Sequence, residues 1–308
     1  MCSKYLPYVS ITECGATCLK SDLHVPLFVA VIMICFAANS VITRYLVLVS
    51  QVSPFLVTVI RFLSGLVMIL IVSWIRPTTL RHAKPNASYL FGALFLGAYA
   101  FSISYGYLFI SVAAGTLVFY TFVVITMVSY SIIKDKERLT LRLALGQLFG
   151  LLGVLVITFS RISSVTLLGV LLMVATGISW GLYSAYGKRF EIAFSYTYNS
   201  FLILGGIAAV TSLVLAFWGQ LTFTNISLQD FGLALYMGMV STALSYLLWN
   251  QTMKKIPASL AGLVQLAVPI LATAMGIIFL GEQLTTSLVI GGGLVLVGIY
   301  LVGHRPAS

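Results

Sequence analysis

The chain has 308 residues, of which 60% are apolar and only 8% charged. Soluble globular domains carry about 25% charged residues, so a soluble fold of this size could not cover its surface and is excluded. The net charge of +10 does not indicate nucleic acid either. The Lys and Arg residues stand singly or in short groups between apolar blocks, as in the loops of a membrane protein, and form no single patch.

Ten apolar segments are predicted near residues 25–45, 54–75, 88–110, 113–133, 143–160, 167–186, 196–217, 231–250, 258–279 and 286–303. Each is close to the roughly 20 residues that cross a bilayer's hydrocarbon core. Segments this long and continuously apolar are helices, because backbone polar groups in lipid must be satisfied internally. The first 24 residues mix polar and apolar types without the continuous apolar stretch of a cleavable signal. Cys2, Cys14, Cys18 and Cys35 all fall in or near that tail, so no disulfide framework holds the body together. The Cys14–Cys18 pair lacks the second pair that a zinc site needs. No metal and no cofactor is expected.

Orientation follows from the bases outside the spans. One side receives Lys4, Lys20, Arg76, Arg81, Lys84, Lys134, Lys136, Arg138, Arg142, Lys188, Arg189, Lys254, Lys255 and Arg305; the other has only Arg44 and Arg161. That imbalance predicts both termini in the cytoplasm, and the chain is expected as a multi-pass protein of the inner (plasma) membrane.

A shift of 145 residues lays the sequence on itself. Lys134–Thr140 falls on Phe279–Thr285, Glu137 on Glu282, Gly146 on Gly291, Gly153 on Gly298 and Arg44 on Arg189. Five spans per repeat is an odd number, so the two halves enter the membrane in opposite directions. The loop charges agree: the loop with Arg76, Arg81 and Lys84 is basic, while its counterpart from Gly219 to Asp230 has no base. The predicted fold is therefore an all-α polytopic membrane protein of ten transmembrane helices in two inverted five-helix repeats. It divides into a cytoplasmic tail (1–24), a first repeat (25–160), a second repeat (161–303) and a short cytoplasmic end (304–308). Inverted repeats are a transporter architecture, with the solute held near the midplane.

Certain motifs also carry a resemblance. Gly281–Thr285 (GEQLT), Gly291–Gly293, the run from Leu294, and Ser245–Ala272 resemble the closing segments of EamA-type domains of the drug/metabolite transporter superfamily, in its ten-helix branch. The likeness covers about residues 25–303. The first half departs from it: no Gly precedes Glu137, and Val124 stands where Pro269 aligns. The resemblance implies a central cavity lined by corresponding helices of both halves.

An enzyme reading finds little support. Glu13, Asp22, Asp135, Glu137, Glu191, Asp230 and Glu282 all lie in tails, loops or span ends, as do His24, His82 and His304. No H-E-x-x-H, G-x-S-x-G or phosphate-binding glycine motif occurs. A proton cycle run by a mid-span carboxylate is likewise not expected. Arg61 is the base that falls within a span, roughly 10 Å deep at 1.5 Å per residue. It either attracts an anionic group on a solute or snorkels and donates to carbonyls at a helix contact.

Neutral polar and aromatic residues recur at helical spacing: Asn39 in the first span, Tyr99, Ser102 and Tyr105 in the third, and Tyr120 in the fourth. The later spans add Trp180, Tyr183 and Ser184, then Ser241, Ser245 and Trp249 with Asn250 beside them, then Gln265, onto which Tyr120 maps. Such groups are costly against lipid and should face a cavity or each other. Singly each suits a packing role; together they are the expected substrate-binding set. Tyr99, Trp180, Tyr183 and Trp249 should then meet near the midplane. The glycine stripes of the fifth and tenth spans serve packing within the chain or, alternatively, a homodimer contact. The sequence thus predicts a secondary carrier of a small organic metabolite, such as an amino acid or drug-like amphipathic solute, with export as the expected direction. A nucleotide-sugar or sugar-phosphate exchanger is the alternative, which would want more deep bases than Arg61. An intramembrane enzyme and a non-transporting scaffold rank behind.

Overall fold

The computed structural model describes residues 11–75, 87–134, 136, 140–158, 165–218, 226–255, 258–265 and 267–303. Glu137, Arg76, Arg81, Lys84, Arg138, Arg161, Arg305 and the loop around Asn225 lie outside these residues. Ten helical spans follow in order. They are α1 (Ile11–Arg44, prolonged by a π-helical turn, Tyr45–Val49), α2 (Pro54–Ile75), α3 (Ser88–Gly106), α4 (Val112–Lys134), α5 (Leu141–Thr158), α6 (Leu167–Gly187) and α7 (Ala193–Phe217). Then come α8 (Leu228–Met253, π-helical over Met237–Leu244), α9 in two pieces (Ala258–Val264 and Ala267–Leu280) and α10 (Thr286–Gly303). Seven of the described helices are long and apolar enough to cross a membrane; α5, the longer piece of α9 and α10 are shorter apolar helices.

The packing repeats with the sequence. α1 packs on α9 as α6 packs on α4; α3 packs on α6 as α8 packs on α1; α2 packs on α8 as α7 packs on α3. The pairs α2–α7 and α5–α10 join equivalent helices across the two-fold relation. Side chains outside these contacts are apolar and bare, as a lipid-facing surface must be: Leu90, Phe91, Leu171, Val210, Leu213 and Phe217 are all more than half exposed. Trp74 and Trp218 sit exposed at the ends of α2 and α7, where aromatic belts lie.

One departure from the expected pattern has a covalent cause. The ninth span is broken at Gln265, and Pro269 explains it. Proline has no backbone N–H to give the carbonyl four residues earlier, and Gln265 O instead accepts from Val268 N at 3.0 Å. In α4 the aligned residue is Val124, and that helix runs unbroken. A difference of one residue type therefore makes the two repeats unequal at this point.

Two close approaches depend on glycine. α5 and α10 meet backbone to backbone: a Cβ on Gly298 would fall on Gly146 O and 2.8 Å from Gly150 N, and one on Gly153 would fall on Gly291 O. The glycine stripe thus works within one chain. At the α2–α8 crossing, a Cβ on Gly238 would collide with Ser64 Oγ and lie 2.7 Å from Arg61 O, so only glycine lets α8 rest on α2 there. Caps fix the entries to two helices. Thr166 Oγ1 accepts from Gly169 N at 3.1 Å ahead of α6, and Ser227 Oγ accepts from Asp230 N at 3.1 Å ahead of α8.

Gly298→Leu should separate α5 from α10 and lower stability by about 1–3 kcal/mol or more. Gly206, whose added Cβ would meet nothing within 4 Å on α7, is the control: Gly206→Ala should be neutral or gain about 0.5–1 kcal/mol. Thermal unfolding of both variants in detergent checks the contrast.

Candidate functional site

The first repeat brings polar and aromatic groups inward from α1 and α3, and the second from α6, α8 and α9. They meet in the middle of the bundle. Asn39 Nδ2 donates to the hydroxyls of Tyr99 and Tyr246, both at 3.3 Å, and Tyr246 Oη donates to Tyr99 Oη at 2.9 Å. This knot joins α1 and α3 of one half to α8 of the other. Trp180 Nε1 donates to Gln265 Oε1 at 2.6 Å, so the break in α9 is held by an indole of α6. Trp249 Nε1 donates to Ser184 Oγ at 3.1 Å, while Asn250 Nδ2 donates to Tyr183 Oη at 3.2 Å and to Thr197 Oγ1 at 2.9 Å.

Rings fill the space between these bonds. Trp180 has Tyr246 at 4.5 Å, Tyr99 at 5.1 Å, Phe36 at 5.3 Å and Tyr183 at 5.6 Å between centroids. Trp249 joins through Phe36, at 5.9 Å. Edge and tilted geometries dominate, which suits the ring quadrupoles and adds about 0.5–1.5 kcal/mol per pair beyond area. Trp180 is 2% and Trp249 0% exposed, against 85% for Trp74.

Of the residues singled out from sequence, Asn39, Tyr99, Trp180, Tyr183, Ser184, Trp249 and Gln265 are brought into this one cluster by the contacts above. Tyr120 is buried next to it, its ring 4.3 Å from Phe119, which is itself 5.9 Å from Tyr99. Ser102 is buried on α3. Ser241 is fully buried, but its hydroxyl has no hydrogen-bond partner, and Ser245 Oγ donates to Val240 O at 2.7 Å within its own helix. Tyr105 stands apart, its ring 4.4 Å from Phe101, a half-exposed side chain. Sequence reasoning missed Phe36, Tyr246 and Thr197. Tyr246 falls on the inner face because Met237–Leu244 is π-helical: five residues on from Ser241, the step of a π turn, lands on it.

Arg61 lies at a helix contact. It is 0% exposed and does not snorkel. Its Nη2 donates to Thr43 Oγ1 at 2.7 Å and reaches Met237 Sδ at 3.4 Å. Thr43 in turn donates to Asn39 O at 2.7 Å, which ties the guanidinium to the central knot. Its Nε and Nη1 are buried without a partner.

The span ends are fastened separately. Glu282 accepts from the amides of Val112 at 2.7 Å and Ala113 at 3.2 Å, capping the N-terminus of α4 where a negative charge is favoured. Arg44 donates to Tyr107 O, and Arg189 donates to Tyr130 Oη at 2.8 Å with its guanidinium over the Tyr186 ring. Lys254 donates to the carbonyls of Phe190 and Glu191; desolvation lowers its pKa, and the Glu191 charge partly opposes that.

The family model of the EamA-like transporter family matches residues 25–159 and again 167–303. The chain belongs to that family. It is 31% identical over 281 residues to an uncharacterized protein of Pseudomonas aeruginosa, covering 91% of this chain and 95% of the relative. It is 26% identical over 260 residues to the uncharacterized transporter YoaV of Bacillus subtilis, covering 82% and 88%. A solved crystal structure superposes with a TM-score of 0.63 at 21% identity, covering 89% of this chain and 96% of that one, and so shares the fold. In this EamA-like chain the two matched units are the halves that meet at Asn39, Tyr99, Trp180 and Tyr246.

If the Trp180–Gln265 bond satisfies two buried groups at once, removing one partner should hurt more than removing both. Trp180→Phe should be rescued in part by Gln265→Leu, with a coupling of about 1–2 kcal/mol in a double-mutant cycle. Equal and additive losses by thermal unfolding would show that the bond contributes nothing.

Proposed function

We propose that the chain is a secondary transporter that carries a small organic metabolite across the inner membrane by alternating access, with export as its direction and both termini in the cytoplasm. The single observation that carries this is the central knot. Asn39 and Tyr99 of one half bond to Tyr246 of the other, which supports a carrier whose inverted repeats hold the solute between them. Contacts between halves made of hydrogen bonds and ring edges can be exchanged for contacts with a solute of matching character: aromatic or apolar body, a few polar handles. The substrate-binding set is then Asn39, Tyr99, Trp180, Tyr183, Ser184, Trp249 and Gln265, joined by Phe36, Tyr246 and Asn250. Ser102, Tyr105, Tyr120, Ser241 and Ser245 belong to the set only if opening of the halves turns their helices toward the solute.

A transporter is favoured over an enzyme by the same chemistry. Among the described residues, the central hydrogen bonds are made by amides, hydroxyls, phenols, indoles and one guanidinium, with no carboxylate or imidazole to serve as acid or base. The exchanger of sugar phosphates is disfavoured because a phosphate dianion calls for more than one cation.

Uptake of a metabolite panel into sealed proteoliposomes tests the reading. Trp180→Ala and Trp249→Ala should each weaken the transported solute's affinity by about 1–3 kcal/mol. Trp74→Ala and Trp218→Ala should leave affinity unchanged. Absence of solute-dependent flux by folded protein over the whole panel would overturn it.

A further inference from the structure

Several neutral polar atoms near the centre lack a partner, among them Ser241 Oγ, Thr242 Oγ1 and Asn250 Oδ1, but Arg61 is the cationic side chain among those left unmatched. Its side chain is completely buried, yet Nε and Nη1 have no hydrogen-bond partner, and Nη2 is held by the neutral Thr43 and Met237. The backbone that carries it is closely packed: α8 approaches at Gly238, where an added Cβ would lie 2.7 Å from Arg61 O. An uncompensated charge in such a place costs several kcal/mol, so a counter-charge is called for.

The described residues supply none. Asp230 accepts from Ser50 and Ser227, both at 2.7 Å; Glu282 caps α4; Glu191 lies beside Lys254. The guanidinium also lies close to the phenols of Tyr99 and Tyr246, with Tyr99 the nearer polar neighbour, and a phenol brings dipoles but no counter-charge. Both of those rings lean on Trp180. A positive charge therefore stands at the edge of an aromatic wall, with neutral neighbours and with Nε and Nη1 making no hydrogen bond of ordinary length.

We infer that Arg61 receives the anionic group of the transported solute, and that the solute is a small organic anion with a single carboxylate whose apolar part lies on the rings of Trp180, Tyr246 and Phe36. The inference rests on the transport reading above and narrows it to a substrate class. Charge counting selects a monoanion. Arg44 and Arg189 are engaged at the span ends with Tyr107 and Tyr130, so a dianionic phosphate ester would keep one charge unbalanced. A zwitterion would bring an ammonium group to a place where the described residues offer it no carboxylate. A guanidinium suits this task better than an ammonium, since it presents several fixed donors and is more weakly hydrated.

The test uses purified full-length protein and matched probes: acetate, lactate, phenylacetate and indole-3-acetate, their four neutral amides, and phenyl phosphate. Thermal stabilisation is read for each at pH 7.5. At least one carboxylate should raise the melting temperature more than its own amide and more than phenyl phosphate. Arg61→Gln should lower that carboxylate's affinity by about tenfold to a hundredfold and change any amide's affinity less than about twofold, while Arg61→Lys keeps part of it. If Arg61→Gln does not fold, the carboxylate–amide comparison on the unaltered protein still decides. Amides binding as well as their acids, or no probe distinguishing the two, would overturn the inference. Proteoliposome flux separates the two levels: flux of neutral solutes sinks the anion assignment and leaves the transporter intact, whereas absence of all flux sinks the transporter reading itself.

Discussion

A polar group inside hydrocarbon has no water to turn to, so it must find its partner in the protein. In this chain the partners come from different helices and, at the central knot, from different halves. Asn39 cannot be satisfied by α1 alone; it needs the Tyr99 and Tyr246 hydroxyls. Trp180 needs Gln265, and Trp249 needs Ser184. These requirements draw α1, α3, α6, α8 and α9 to one point, and the aromatic rings close around it. The lipid-facing helix surfaces, being apolar throughout, impose no comparable demand.

Glycine decides how near the helices come. Where α5 meets α10 the backbones touch, and the contact is made apart from the helices that carry the aromatic centre. Where α8 meets α2, Gly238 presses a π-helical stretch onto Arg61. A π turn is a local fault in the hydrogen-bond ladder, and this one coincides with buried Ser241 and Thr242 hydroxyls that have no partner. Together with the break at Gln265, it places two irregular segments of the second repeat beside the centre. The first repeat has continuous α3 and α4 in the corresponding places. The inverted halves are thus alike in packing and unlike in helical regularity beside the centre.

Most of the fold was legible in the chain because hydropathy, loop charge and the 145-residue repeat are signals that tertiary contacts do not override. The break in α9 was visible only as an aligned Pro269 opposite Val124. The inward stripe of α8 was half legible. A period of 3.6 residues carried from Ser241 leads to Ser245 and to Trp249, which does reach the cluster, but the π stretch shifts the register, so Tyr246 faces the centre as well and Ser245 bonds its own backbone. Phe36 gave no signal, since an apolar residue in an apolar helix looks the same whether it faces lipid or a ring cluster. Tyr105 illustrates the converse: a polar aromatic at the right spacing that lies beside Phe101 instead.

Everything functional in this account depends on the closed centre opening to water, first toward one side of the membrane and then the other. Cysteine accessibility tests that most directly. In protein with Cys2, Cys14, Cys18 and Cys35 replaced, a single Ser184→Cys places a thiol at a fully buried position beside Trp249. Membrane-impermeant thiol reagents applied separately to the two faces of sealed vesicles should each label it, and a transported solute should slow both reactions. Folded protein labelled from neither face, or from one face alone regardless of solute, would contradict alternating access through this centre.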